Sequence, residues 1–328
     1  MVLESIMNLR IRASEKAKIL ASKYGYLPYM VERYIEILGL EGAIELLEAN
    51  EHPLPDTIRC NDYLTSCNAL IESLESKGFS VKPLHLAPHG LVVERKPISL
   101  GATLEYLQGY YYIQDPGSML VAYELEPKPG DTILDMAAAP GGKATQILQL
   151  SMDRALLVAV DVSRNRIRAL RSHLNRMRFK NYIIIRGDSR KINFKYKFYK
   201  ILLDAPSTGE GIIRKDPSRK RSRTYDDVMV VATLQYQLLE AGLRYLADGG
   251  TLVYSACTLA PEEGEAVIAE ILNKYNNIRI EKLNIPHQPG ITEYFKIRFP
   301  EEVRNCGRLY PHIHGTEGFF ICKLVKQK

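Results

Sequence analysis

From Tyr110 onward the chain repeats one rhythm of short apolar run, loop and helical stretch, and this rhythm constrains the fold more than any other feature. The runs are Thr132-Ile133-Leu134-Asp135, Leu156-Leu157-Val158-Ala159-Val160-Asp161, Tyr182-Ile183-Ile184-Ile185-Arg186-Gly187-Asp188, Lys200-Ile201-Leu202-Leu203-Asp204 and Thr251-Leu252-Val253-Tyr254. Helical stretches over 166–177 and 226–246 lie between them. Runs apolar on both faces are strands covered on both sides, and helical crossovers make neighbouring strands parallel. The expected fold class is α/β, a Rossmann-like doubly wound sheet. Four of the runs end in Asp, which sets carboxylates along the edge where an open α/β sheet takes its ligands.

Two smaller pieces precede this region. Residues 3–48 read as helices: Ile6, Leu9, Ala13, Ala17 and Leu20 recur at three- and four-residue spacing, and Arg10, Lys16 and Lys18 fall off that stripe. Pro28 can open a second helix and Gly39 close it, with a third short segment over 42–48. His52-Pro53-Leu54-Pro55-Asp56 reads as a linker. A compact α+β piece follows, with strands at 57–61 and 90–95 and a helix over 67–77 that turns Leu70, Ile71 and Leu74 inward. The expected division is a helical region over 1–52, a small α+β domain over 53–100 and a large domain over 101–328.

Composition narrows the class of protein. With 46% apolar and 25% charged residues, the 328-residue chain has the make-up of a globular protein with a substantial core. Lys and Arg number 44 against 38 Asp and Glu, an excess compatible with a polyanionic partner. The five cysteines, Cys60, Cys67, Cys257, Cys306 and Cys322, are odd in number and form no Cys-x-x-Cys pair. That pattern argues against a disulfide framework and a structural zinc site, and for a reducing compartment. The first residues lack a signal-peptide core, and no apolar run approaches the ~20 residues that span a bilayer. A cytoplasmic location without a membrane role is the expectation.

The loop Asp135-Met136-Ala137-Ala138-Ala139-Pro140-Gly141-Gly142-Lys143 joins a strand to a helix starting near Ala144. Its small residues Ala137, Ala138, Ala139, Pro140, Gly141 and Gly142 let a ligand approach the backbone, and amides at a helix start receive anions. The dinucleotide glycine spacing is interrupted by Pro140, and only Gly-Gly-Lys survives of the phosphate-binding loop, so nicotinamide and nucleoside-triphosphate sites are disfavoured. Asp161 lies roughly 20 residues beyond, where an acid can grip ribose hydroxyls. Asp188 can accept from an adenine amino group. Together these describe S-adenosylmethionine, although each Asp alone reads equally well as a strand-end turn or helix cap.

Tyr254-Ser255-Ala256-Cys257-Thr258 puts a thiol where a buried strand should end. A lone Cys is more often a small buried hydrophobe than a nucleophile. The blocks 137–143, Asp204-Ala205-Pro206, 254–258 with Pro261-Glu262-Glu263, and Pro311-His312 through Gly318-Phe319-Phe320 together change that balance. In this order they resemble the Sun/Nop (Fmu-like) family of RNA cytosine-C5 methyltransferases over residues 110–324. Gln114-Asp115 before Ser118 also resembles the family's opening motif, and the region ahead of it is only loosely similar to the family's RNA-binding part.

The resemblance implies an S-adenosylmethionine-dependent RNA (cytosine-5)-methyltransferase. Carbon 5 of cytosine is a poor nucleophile, and addition of a thiolate at carbon 6 turns it into a carbanion equivalent that can take a methyl group. By resemblance Cys257 is that nucleophile, Asp204 the carboxylate at ring nitrogen 3, Lys143 the lysine near base and donor, and Arg166 a basic residue near the donor. Pro206-Ser207 departs from the family's Pro-Cys, whose thiol helps remove the proton from carbon 5; a serine is a much weaker base, so release is expected to be slow or to use another base. The basic stretch Arg214-Lys215, Arg219-Lys220-Arg221 and Arg223 can hold phosphates or be a solvated loop. His312 and His314 form a pair without a carboxylate or cysteine cluster, which favours a structural role over a metal site. The implied partner is structured RNA with an exposed base, tRNA ahead of rRNA, and nothing in these residues separates the two. A catalytically impaired RNA-binding or assembly factor is the competing reading, drawn from Ser207 and opposed by Cys257 and Asp204. Oligomeric state is outside what these residues express.

Overall fold

The computed structural model describes residues 2–328. The chain divides into two compact units, one made of Met1–Leu54, Ala205–Glu240 and Tyr254–Lys328, the other of Pro55–Asp204 and Ala241–Val253. The backbone leaves the second unit after Asp204, where strand Phe198–Asp204 ends, and again after Val253, inside strand Leu246–Ala256.

The second unit holds two sheets. The smaller is antiparallel, with strands in the order Ser80–Pro83, Gly90–Arg95, Asp56–Cys60 and Tyr111–Ile113. Helix Cys67–Glu75 starts at Ser66, whose side chain accepts from Ala69 N, and buries Leu70 and Leu74 in a core with Ile58, Phe79, Val81 and Tyr111. Tyr111–Ile113 pairs with Asp56–Cys60, so this sheet takes a strand from beyond residue 100, where composition suggests a boundary. A three-residue strand is too short to announce itself by alternation.

The larger sheet follows the expected rhythm. Its parallel strands run in the order Phe198–Asp204, Thr132–Asp135, Leu156–Asp161 and Tyr182–Arg186. The part of strand Leu246–Ala256 that lies in this unit pairs beside Phe198–Asp204. Ile133, Leu134, Leu157, Val160, Leu202 and Leu203 are buried, which is why these segments show no polar face. Helix Arg164–Arg176 begins at Ser163, whose side chain accepts from Arg166 N, and turns Ile167, Leu170 and Leu174 inward. The third strand stops at Arg186, so Asp188 lies in the loop that follows.

The first unit is built around helix Pro28–Ala49, which opens on proline and bends at Gly39, where φ is 72°. Met30, Val31, Tyr34, Leu46 and Leu47 pack with Ala17, Ala21, Ile213, Leu259 and Tyr310. The expected apolar stripe over residues 6–20 is interrupted: helices Val2–Met7 and Glu15–Tyr24 are separate, and Ser14 caps the second while donating its hydroxyl to Glu32. Strand Phe319–Lys326 pairs antiparallel with Gly307–Leu309 through its first residues and with Ile278–Glu281 through its last. Among the described residues no helix is long and apolar enough to cross a membrane.

The cysteines require a correction. Cys60 pairs with Cys67 and Cys306 with Cys322, with Cα atoms 5.7 and 4.4 Å apart, and Cys257 is outside both disulfides. An odd count is compatible with two short-range disulfides when the fifth thiol is held apart. Only strand pairing and helix docking bring these partners together.

Candidate active site

In the second unit a cavity of about 210 Å³ opens at the carboxyl edge of the parallel sheet. Its walls are Tyr112, Ile113, Gln114, Asp115 and Ser118 on one side, and Asp135, Asp204 and the loop Ala137, Ala138, Ala139, Pro140, Gly141, Gly142 and Lys143 on the other. The loop is pinned from below: Met136 N donates to Leu202 O at 2.9 Å, and Ala138 N to Val160 O at 2.9 Å. Gly141 has φ 115°, a conformation open to glycine, and a Cβ there would meet Leu170 at 3.1 Å. A Cβ on Gly142 would come within 3.4 Å of the Tyr112 ring, so the missing side chain leaves a cradle between helix start and ring.

Lys143 is almost fully buried, and its Nζ donates to Asp204 Oδ2 at 2.8 Å and to Ser118 Oγ at 2.9 Å. Asp135 ends the central strand behind this pair. Burial, then the charge of Asp204, push its carboxyl pKa up to about 7. The cavity thus combines an ion pair with a second carboxyl whose protonated form is favoured by burial.

Other expected residues sit behind the cavity or away from it. Asp161 is buried, accepting from Ala139 N at 3.2 Å and Ser163 N at 2.8 Å. Arg166 donates to Ala139 O and lies 3.7 Å from Asp161. Both therefore secure the loop that lines the cavity. Asp188 is gripped by the Arg190 guanidinium at 2.7 to 3.2 Å, and that hydrogen bonding holds its pKa below the usual range.

Tyr112, Asp135 and Arg59 escape the sequence reading. Asp135 carried a signal, the strand-end position it shares with Asp161 and Asp204. Arg59 carried none: it is fully buried on a strand of the small sheet and donates to Gln114, to Gly142 O at 2.8 Å, to Thr145 at 2.8 Å and to Gln149 at 2.9 Å. Burial lowers its pKa to about 10.

In the first unit Cys257 follows strand Leu246–Ala256 and is half-buried. Its Sγ lies 3.5 Å from Gly318 O, and its carbonyl accepts from Gly211 N at 3.2 Å and Ser207 Oγ at 3.2 Å. A Cβ on Gly211 would fall 1.9 Å from Gly318 O and 2.9 Å from Cys257 Sγ, so only glycine fits beside the thiol. The basic stretch is engaged within this unit: Arg214 Nε donates to His52 O at 2.7 Å, Arg219 pairs with Asp216 at 2.9 Å, Lys220 pairs with Glu51, and Arg221 Nε donates to Gly25 O at 2.8 Å. His314 Nδ1 accepts from Tyr310 N at 2.9 Å. Among the described residues no group of three or more His, Cys, Asp or Glu could hold a metal ion.

A parallel sheet with a small-residue loop at its carboxyl edge and acids ending successive strands defines the Rossmann-like fold of S-adenosylmethionine-dependent methyltransferases. The cradle at Gly141 and Gly142 fits such a donor, whose amino-acid part needs close approach to backbone. Residues 122–325 match the family described as 16S rRNA methyltransferase RsmB/F, and residues 28–99 the RsmF/B-like ferredoxin-like domain. The chain belongs to the RsmB/F methyltransferase family.

It is similar to the 25S rRNA (cytosine-C(5))-methyltransferase nop2 of Schizosaccharomyces pombe, 36% identical over 92% of this chain and 51% of that protein. It is also similar to the tRNA (cytosine(72)-C(5))-methyltransferase of Pyrococcus horikoshii, 38% identical over 75% of this chain and 61% of the relative. The chain thus spans about half the length of the nop2 relative. Among solved structures, a methyltransferase homologue from Pyrococcus horikoshii superposes with TM-score 0.86 at 39% identity, covering 96% of this chain and 100% of its own. NSun6 from the same organism, solved with SFG, gives 0.81 at 28%, covering 91% and 97%.

Proposed function

We propose that the chain methylates carbon 5 of cytosine in RNA, with Cys257 as nucleophile and Asp204 and Lys143 serving the base. The observation that carries this reading is the half-buried Cys257 just past a strand end, beside a glycine that no side chain could replace, in a chain whose other four cysteines form two disulfides. S-adenosylmethionine supplies an electrophilic methyl group, and residues 137–143 with Gln114 and Ser118 are positioned to bind it. Asp161 and Arg166 hold that loop in shape.

The thiolate of Cys257 adds to carbon 6, forming an S–C bond, and the electron pair of the 5,6 double bond moves toward carbon 5 and nitrogen 3. A proton delivered to nitrogen 3 neutralises the negative charge that develops there, and Asp204, which accepts from Lys143 Nζ at 2.8 Å, is the group that holds and passes that proton. After methylation, loss of the carbon 5 proton and departure of the thiolate restore the ring. Ser207 Oγ donates to the Cys257 carbonyl, which makes it a holder of the nucleophile's loop rather than a base. Water or a further group takes the proton in its place.

Structured RNA is the substrate class, with tRNA as the first reading, supported by the Pyrococcus enzyme, and rRNA as the alternative, supported by nop2 and by most of the similar relatives. Labelled methyl transfer to unmodified bulk tRNA and rRNA, followed by mapping of the labelled nucleotide, decides between them. Cys257→Ala should abolish transfer. A fully active Cys257→Ala protein overturns the assignment, and binding of RNA without any transfer supports an assembly factor instead.

A further inference from the structure

A second buried polar cluster lies wholly within the first unit. Arg33, on helix Pro28–Ala49, is 0% exposed. Its Nη1 meets Glu210 Oε2 at 2.6 Å and its Nε meets Glu262 Oε2 at 3.3 Å. Tyr294 OH, also buried, donates to Glu262 Oε1 at 2.9 Å and accepts from Arg33 Nε at 3.3 Å. Burial alone would pull the guanidinium pKa down, yet the two carboxylates hold it well above the ordinary arginine value. Such a pair is poor evidence of net stability, because desolvation offsets the attraction; what it supplies is a fixed geometry.

The two glutamates sit in the two turns that surround the thiol. Glu210 lies three residues after Ser207 and directly before Gly211, whose amide donates to the Cys257 carbonyl and whose own carbonyl accepts from Gly318 N at 2.9 Å. Glu262 follows Cys257 in the 3-10 turn Pro261–Glu263. Its neighbour Glu263 ties the same two turns together, accepting from Thr208 N at 2.9 Å and Thr258 Oγ1 at 3.1 Å. At Gly211, the residue after Glu210, an added Cβ would lie 2.9 Å from Cys257 Sγ, so the backbone of the Glu210 turn runs close beside the thiol.

We propose that Arg33 is a positioning residue for Cys257, clamping the Glu210 and Glu262 turns so that the thiol is held at one place and one angle. The guanidinium fork suits this task because it grips two carboxylates in fixed directions and stays charged. Without it two carboxylates are left buried with no counter-charge, and the turns must part or take up protons. This proposal rests on the reading of Cys257 as the nucleophile.

The test uses the full chain carrying Arg33→Met or Arg33→Lys. Steady-state methyl transfer is measured alongside the rate at which iodoacetamide alkylates Cys257, followed by mass spectrometry. A misplacement of about 1 Å at a reacting group lowers turnover by about 100-fold. Arg33→Met, folded by its cooperative melt, should lose about 10- to 100-fold in kcat with both KM values within about twofold. Arg33→Lys should recover part of the loss, and the alkylation rate should change several-fold. A folded Arg33→Met protein with wild-type kcat and alkylation rate overturns the proposal, as does a loss confined to KM for RNA. Should Arg33→Met fail to fold, Arg33→Lys, which keeps the charge and loses the fork, decides: altered kcat and alkylation support the clamp, and wild-type values for both overturn it. Activity of Cys257→Ala reports separately on the nucleophile, while alkylation reads the position of the thiol whether or not it is catalytic.

Discussion

Replacing Asp135 by Asn should make the protein more stable, and increasingly so as pH rises from about 4 to about 7. The side chain is fully buried, with one oxygen accepting from Ala137 N at 3.3 Å and the other without a hydrogen-bond partner among the described residues. Burial and the charge of Asp204 raise its pKa from 3.8 to about 7. Between those values the folded chain holds a proton that the unfolded chain has released. Stability contributed by this group is therefore present at low pH, falls as pH rises through the window, and levels off above about 7. Roughly three pK units at about 1.4 kcal/mol each amount to a loss on the order of 4 kcal/mol. Asparagine keeps an oxygen for Ala137 N and never ionises. The difference in unfolding free energy between Asp135→Asn and the parent should thus grow by a few kcal/mol from about pH 4 to about pH 8. Urea unfolding across that range measures it, and taking the difference cancels groups common to both proteins, such as Glu263, which burial also holds near 7. A difference that stays flat, or shrinks as pH rises, would refute the claim that Asp135 is neutral in the folded state.

Two further outcomes are expected. Ser207→Cys should leave methyl transfer intact or speed turnover, because a thiol is a better base than a hydroxyl; single- and multiple-turnover rates with labelled donor measure this, and a large loss would mean that the Ser207 bond to the Cys257 carbonyl is indispensable. Neutralising Arg219 and Arg221 together should weaken RNA binding and lower the slope of log affinity against log salt by about 1 for each RNA phosphate that these side chains neutralise. An unchanged slope would assign these side chains to the bonds they make with Asp216 and Gly25 alone.

The periodicity of the chain from Tyr110 onward determined the doubly wound sheet, because strands buried on both faces and helices with one apolar stripe leave unambiguous patterns. It also determined that Asp135, Asp161 and Asp204 end their strands, and that a small-residue loop follows the first of them. Tertiary structure decided which partners those acids meet. Asp204 lines the cavity and pairs with Lys143, Asp161 accepts from the loop amide of Ala139, and Asp188, two residues beyond its strand, pairs with Arg190. Spacing along the chain cannot distinguish these fates, since each depends on which donor the fold brings within hydrogen-bonding distance. The same holds for the cysteines, four of them paired through strands and a helix that only folding makes adjacent. Arg33 and Arg59 are the extreme cases: in sequence each is one charged residue among ordinary neighbours, and only burial against partners 55 to 261 positions away makes either one part of a site.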